Sequence, residues 1–345
     1  MKIRVLSGKM TGGQRAIARC FLIAVPLAVG LLCVCLGRYS VSLGQVLDTL
    51  SGYLHGRTPD TQAALIIGTI RLPRVVLALL IGGGLAVAGA AFQSLFSNPL
   101  ATPDTLGVVS GASLGAVIGL FFRQNLLVVQ LLAMLSGFLA VAITYLVSRH
   151  QGRITSMTSM VLAGIVVSSM FSSLVSLIKY MADTESQLPA ITYWLLGSLA
   201  SANWYNLALC APFIVIGSAV LYAVRWKLNI LPLSEDEARA TGVNLKGLRI
   251  LTALCATMIT AAAVAMCGQV AWVGLLIPHI CRMMLGSDNS RLIPASLSLG
   301  AIFMVLIDTL ARTMTEAEIP ISILTSLIGA PFFIHLLRTT RGWDE

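Results

Sequence analysis

Residues 75–96 read VVLALLIGGGLAVAGAAFQSLF, twenty-two positions without one charged side chain. A helix needs about 20 apolar residues to cross a bilayer core, and an amphipathic helix of a soluble domain would show a polar face within that length. This stretch shows none and predicts a membrane span. Working outward, further apolar stretches occupy 17–37, 105–122, 126–147, 157–179, 205–226, 249–267, 270–285, 292–312 and 320–338. The two shortest, 105–122 and 270–285, lie near the lower limit of about 17 residues. The expectation is an all-α polytopic protein of about ten spans, residues 1–345 forming one transmembrane domain with both termini in the cytoplasm.

Composition agrees: 57% of residues are hydrophobic and 11% charged, against about a quarter charged in soluble domains. A water-soluble core is excluded. The run from Ala16 to Gly37 is longer than a signal-peptide core and lacks an Ala-x-Ala cleavage site, so it reads as a retained first span. The seven cysteines lie in or beside apolar runs with no Cys-x-x-Cys pair, as small packing residues do.

Orientation follows from Lys and Arg, which accumulate in cytoplasmic loops. With the N-terminus inside, sixteen of the 23 basic residues fall on the inner side and seven on the outer, while the acidic residues divide evenly. The net charge of +9 therefore sits on the inner face. It reports membrane topology and lipid surroundings, not nucleic acid. Outside lies a longer connection, 38–63, with room for a short surface structure, and 186–201 carries Tyr193 and Trp194 as an interfacial helix would. Inside, 229–249 is the longest loop.

Several motifs carry a functional reading beside a structural one. Arg71-Leu-Pro-Arg74 places positive charge at the outer end of a span, against the topological trend, and Arg312 ends another span on that face. These guanidinium groups either receive carboxylates from a docking protein, or snorkel to lipid phosphates and pair with Asp308 one turn before Arg312. The residues alone leave both open. In the inner loop, Ser234 as N-cap, Glu237 three positions on and Gly242 as the stop define a short helix. It is either a stable surface helix or one that docks into a partner's groove through Leu231, Leu233, Ala238 and Val243. Docking is favoured. Gly82, Gly89, Gly111 and Gly115 read as close-packing positions, and His279 inside a span reads as a packed histidine because no other histidine is near it in sequence. The span 157–179 carries Ser168, Ser169, Ser172 and Ser176. Each serine alone is ordinary helix packing, but together they make this the first choice for a pathway helix, with Ser322 and Thr325 second.

No Gly-x-x-x-x-Gly-Lys-Ser/Thr phosphate loop, nucleophile elbow, zinc-binding His pair or pair of intramembrane carboxylates occurs. The chain is not expected to be an enzyme, nor to hold a cofactor or metal. A lipid-modifying enzyme and an ion-coupled secondary transporter lose support for the same reasons.

Taken in order, Arg71-Leu-Pro-Arg74, Asn98-Pro99-Leu100-Ala101, Leu106-Gly107-Val108, Ser110-Gly111-Ala112, the run from Gly274 to Arg282, Glu318-Ile319-Pro320 and Gly329-Ala330-Pro331 resemble the FecCD family of permeases. The resemblance spans roughly Arg71 to Arg338. It implies the permease subunit of a binding-protein-dependent ABC importer of the inner membrane, with ten spans. The expected partners are a second permease subunit, two cytoplasmic ATPase subunits carrying ATP and Mg, and a periplasmic or lipid-anchored binding protein. It also implies roles. Arg71, Arg74 and Arg312 match positions that receive the binding protein, and residues 229–249, with Ser234, Glu235, Glu237, Arg239, Gly242 and Lys246, match the coupling helices on the ATPase. The segment holding Thr155, Met157, Thr158 and Ser159 matches the cytoplasmic gate. The implied cargo is an iron-siderophore, with haem, cobalamin or an oxyanion as alternatives.

Overall fold

The computed structural model describes residues 12–56, 61–148, 157–233 and 235–339, which form fourteen α-helices and, among the described residues, no strand. In chain order these are α1 (Gly12–Cys35), α2 (Leu43–Leu54), α3 (Gln62–Leu65), α4 (Leu72–Leu95), α5 (Val108–Phe121), α6 (Leu126–Ser148), α7 (Met157–Met181), α8 (Gln187–Leu196), α9 (Trp204–Ala223), α10 (Glu235–Ala240), α11 (Leu245–Cys267), α12 (Val273–Leu285), α13 (Asn289–Thr313) and α14 (Ile321–Thr339). Six helical stretches are long and apolar enough to cross a membrane: 62–95, 126–148, 158–181, 204–223, 245–267 and 289–313. Four apolar helices are shorter, at Cys20–Cys35, Val108–Phe121, Val273–Leu285 and Ile321–His335. These ten coincide one for one with the apolar stretches of the sequence.

The opening stretch, now α4, is the axis of the fold. It is buried almost throughout, and α1, α9, α11, α12 and α13 pack around it. Its glycines explain how so many neighbours fit. A methyl group at Gly82 would overlap the Gly300 carbonyl of α13, and one at Gly89 would overlap Gly274 of α12. Without side chains there, backbones approach closely, and dispersion contacts substitute for a hydrophobic drive that lipid does not provide. Gly111 and Gly115 serve the same end between α5 and α6, where added methyls would meet Ser136 and Leu132. By contrast α6, α7 and α9 are mostly open, with large apolar side chains such as Leu135, Leu162 and Ile216 facing outward, as expected of lipid-facing surface.

Two short helices flank the bundle. The connection expected to lie outside contains α2, capped by a reciprocal box in which Gln45 N–H donates to Ser42 Oγ at 3.2 Å and Ser42 N–H donates to Gln45 Oε1 at 2.9 Å. The stretch expected to be interfacial forms α8.

Candidate functional site

Helix α1 ends at Cys35 with carbonyls that no further turn can satisfy. Two arginines from elsewhere satisfy them. Arg71 donates through Nη1 to Val34 O at 2.7 Å and Cys35 O at 3.2 Å, and through Nη2 to Tyr39 O. Arg312 donates to Leu36 O at 2.6 Å and Cys33 O at 2.5 Å. Arg74 turns the other way. Its Nε lies 2.9 Å from Asp308 Oδ1, and its Nη1 and Nη2 grip Glu318 Oε1 and Oε2 at 2.8 and 2.9 Å, a bidentate, charge-assisted geometry. Arg312 Nε stands 3.6 Å from Asp308 Oδ2. Arg71, Arg74 and Asp308 are 6%, 7% and 1% exposed.

The three arginines thus cluster, and all three are engaged within the chain, Arg74 and Arg312 with Asp308 as the structural alternative of the sequence reading supposes. The chain supplies the acids itself, from 234 and 244 positions away in the case of Arg74. Burial pushes the Glu318 carboxyl up, but the hydrogen bonds from Arg74 outweigh it and hold the group below the usual carboxylate range.

How Arg71 and Arg74 come to face inward is a matter of backbone geometry. Residues 66–71 form a π-helical turn in which Leu72 N–H reaches back to Ile67 O. Pro73 has no N–H to continue that register to Gly68 O. The vacant acceptor is taken by Trp204 Nε1 of α9, at 2.8 Å. A π turn inserts one residue into a helix and rotates the turns beyond it, and here it ends on Arg71 and precedes Arg74.

At the opposite loop, α10 is a two-turn helix followed by Gly242 at φ +71°, the left-handed stop that glycine permits. Ser234 lies outside the described residues, as do the side chains of Glu235 and Arg239. Glu237, Gly242 and Lys246 are exposed. Asn244 caps α11 by accepting Gly247 N–H at 3.0 Å. The apolar face expected to meet a partner is half consumed: Leu231 and Ala238 are buried within the chain and only Leu233 stays open. Just before, Asn229 donates to Asp288 Oδ1 at 2.8 Å and accepts Asn289 N–H at 2.8 Å, while Ser94 Oγ bonds Asn289 Oδ1 at 3.0 Å. The loop is thereby tied to the start of α13 and the end of α4. At the start of α7, Thr158 and Ser159 are exposed; Thr155 and the Met157 side chain lie outside the described residues.

Along α7, Ser169, Ser172 and Ser176 share an exposed face, while Ser168 is half-buried against Gly107. The hydroxyl of Ser176 donates to Ser172 O at 3.0 Å, so part of its polarity is spent on its own helix. Ser322 is half-buried at the head of α14, but Thr325 is fully buried and donates to Ser322 O at 3.2 Å; it packs and does not line open space. His279 is buried with its ring 6.2 Å from that of Phe333, in keeping with a packing role, and no group of three metal-ligating side chains is found among the described residues. Sequence reading missed a cavity of about 290 Å³ between α4, α5, α11, α12 and α14, lined by Asp104, Thr260, Gln269, Trp272 and Ser322 among others. The unusual Gly268–Trp272 run was its signal, since glycine and a broken apolar pattern mark non-helical backbone.

A bundle of long apolar helices around a glycine-lined axis, with an arginine–carboxylate network at one end and an asparagine-bonded loop at the other, has the architecture of a multi-pass membrane protein. The chain matches the FecCD transport family over residues 24–339 and belongs to it. It is a permease subunit of an ABC importer, and the ATPase of such a system is a separate subunit. The chain is 40% identical to the molybdate import system permease protein of Haemophilus influenzae, over 89% of this chain and 91% of that one. It is 36% identical to a probable iron chelatin transport system permease of Helicobacter pylori, over 86% and 89%. Its fold superposes with a TM-score of 0.84 on an inward-facing conformation of a putative metal-chelate type ABC transporter, at 37% identity, covering 94% of this chain and 99% of that one.

Proposed function

We propose that this chain is one of two permease subunits that together carry a metal chelate, an iron-siderophore first among the candidates, across the inner membrane. All ten apolar helices cross and both termini are cytoplasmic. The observation that carries the reading is the family match across nearly the whole chain together with the superposition on a metal-chelate transporter. The open serine face of α7 meets the partner permease and lines the pathway with Ser322, and the segment around Thr155 to Ser159 closes it at the inner side.

The inner segment 229–249 couples to two ATPase subunits that hold ATP and Mg. Exposed Glu237 and Lys246 fit an electrostatic contact there better than an apolar one, because Leu231 and Ala238 are already buried. At the outer end, the acids of a binding protein reach Arg71, Arg74 and Arg312 by displacing Glu318, whose side chain at 29% exposed is the more accessible of Arg74's two partners. Glu318→Gln is then expected to tighten docking.

Proteoliposomes containing the permease, its ATPase and its binding protein test the whole reading. ATP-dependent accumulation of labelled ferric chelate is expected; uptake that follows an ion gradient without ATP would overturn it. A second reading, import of a free oxyanion, is favoured by the 40% identity to a molybdate permease and is separated by offering labelled molybdate to the same vesicles.

A further inference from the structure

Helices α5 and α12 have 14 and 13 residues, which at about 1.5 Å per residue make them roughly 20 Å long, too short for a hydrocarbon core of about 30 Å. Both begin at the same place. Val109, the second residue of α5, and Gly274, the second of α12, line one cavity with Asp104 and the non-helical run 268–272. In the ten-span topology proposed above these two helices run in opposite directions, so a shared origin puts both starts at depth within the membrane. Irregular backbone at that depth is tolerated where it lines a cavity or is buried in protein.

The cavity is built of polar and apolar parts. Gln269 Nε2 donates to Ser113 Oγ at 2.8 Å, and Ser113 Oγ donates to Val109 O at 2.7 Å, fixing the broken run against α5. Thr260, 3% exposed, is among the lining residues, and its buried hydroxyl has no hydrogen-bond partner within the chain. A buried hydroxyl without a partner is costly. Trp272, held at φ +70°, and Leu85, Val264 and Leu275 complete an apolar wall. Asp104 is the one titratable side chain among the lining residues, and it stands four residues before the start of α5. The positive end of α5, which an incoming anion would seek, thus opens on a cavity that an acid of the chain also lines.

We propose that this cavity is a transit subsite for one uncharged, hydrogen-bonding arm of a metal chelate, and that Asp104 makes it unfavourable for a free oxyanion. The inference rests on the importer reading above and refines its cargo. At about 290 Å³ the space is at the lower edge of sites for drug-sized molecules, so it takes part of a bulky chelate. The hydroxyl of Thr260 and the Gln269 amide suit carbonyl and hydroxyl oxygens, and the Trp272 wall suits an organic shell that molybdate lacks.

The test places a reporter cysteine at half-buried Ser322 (Ser322→Cys), in a Cys20→Ser background because Cys20 is exposed. Its reaction with a small methanethiosulfonate is followed on the purified chain with millimolar neutral ferric trihydroxamate or molybdate. The trihydroxamate is expected to slow labelling and molybdate to leave it unchanged. Thr260→Val should weaken that protection about fivefold, the worth of one neutral hydrogen bond, and Asp104→Asn should let molybdate protect. Absence of protection by the trihydroxamate, or equal protection by molybdate with Asp104 intact, overturns the subsite. Failure of ATP-driven uptake in vesicles would overturn the importer reading independently of either labelling result.

Discussion

Arg74 holds two acids at once, and one of them, Asp308, is almost wholly buried. Removing a partner from a buried pair leaves an uncompensated charge, typically costing about 3–5 kcal/mol. Arg74→Gln is therefore expected to lower the melting temperature in detergent sharply, and Arg74→Gln with Asp308→Asn to recover much of the loss. A purely peripheral arginine would show neither effect. The same network has a pH signature. Because the folded Glu318 carboxyl titrates below its ordinary range, its contribution is fully present above the unfolded value of about 4.3 and is lost as pH falls through the folded one. Acid melting curves of the native chain and Glu318→Gln should converge at low pH. The charges themselves are visible in the sequence, and Asp308 four residues before Arg312 gives a pairing one turn apart. The dominant pairing with Arg74 joins positions 234 apart, which no local spacing encodes.

At the scale of elements, the turn before α4 depends on a bond made across the fold. Trp204→Phe removes the indole N–H that satisfies Gly68 O, and Pro73 cannot replace it. A loss of about 1–3 kcal/mol is expected from an acceptor left unsatisfied, read as faster hydrogen exchange in residues 66–72. Adding Pro73→Ala, which restores an N–H, should return part of the protection. The glycine contacts predict in the opposite sense, through overpacking. Gly82→Ala places a methyl against the Gly300 carbonyl and should cost about 1–3 kcal/mol in thermal stability, whereas Ala at exposed Gly44, which meets only Ser42 Oγ at 3.8 Å, should be tolerated. Helix positions were legible because apolar length is a strong signal in a bilayer. The short α10 was legible from its stop glycine. The π turn was not, since the bond that satisfies its free carbonyl comes from a tryptophan on another helix; nor was the burial of Leu231 and Ala238, which depends on how the loop folds back on the bundle.

For the molecule as a whole, the open face of α7 carries the prediction of pairing. In a Cys20→Ser background, Ser172→Cys is expected to cross-link two permease subunits in native membranes, giving a dimer band on non-reducing gels that Ala133→Cys, from a fully buried position, does not give. Failure of Ser172→Cys and Ser176→Cys alike would move the subunit interface away from α7. Helix α13 adds a different consequence. Its first turn is fastened to the 229–249 loop through Asn229 and Asp288 and to α4 through Ser94, and its last two turns carry Asp308 and Arg312. Twenty-five residues of helix amount to about 37 Å of stiff rod, pinned at both ends by polar bonds and not by grease. The two ends of α13 are therefore geared to each other: a tilt imposed at the first turn must be answered at the far clasp, by whichever acid there is easiest to let go.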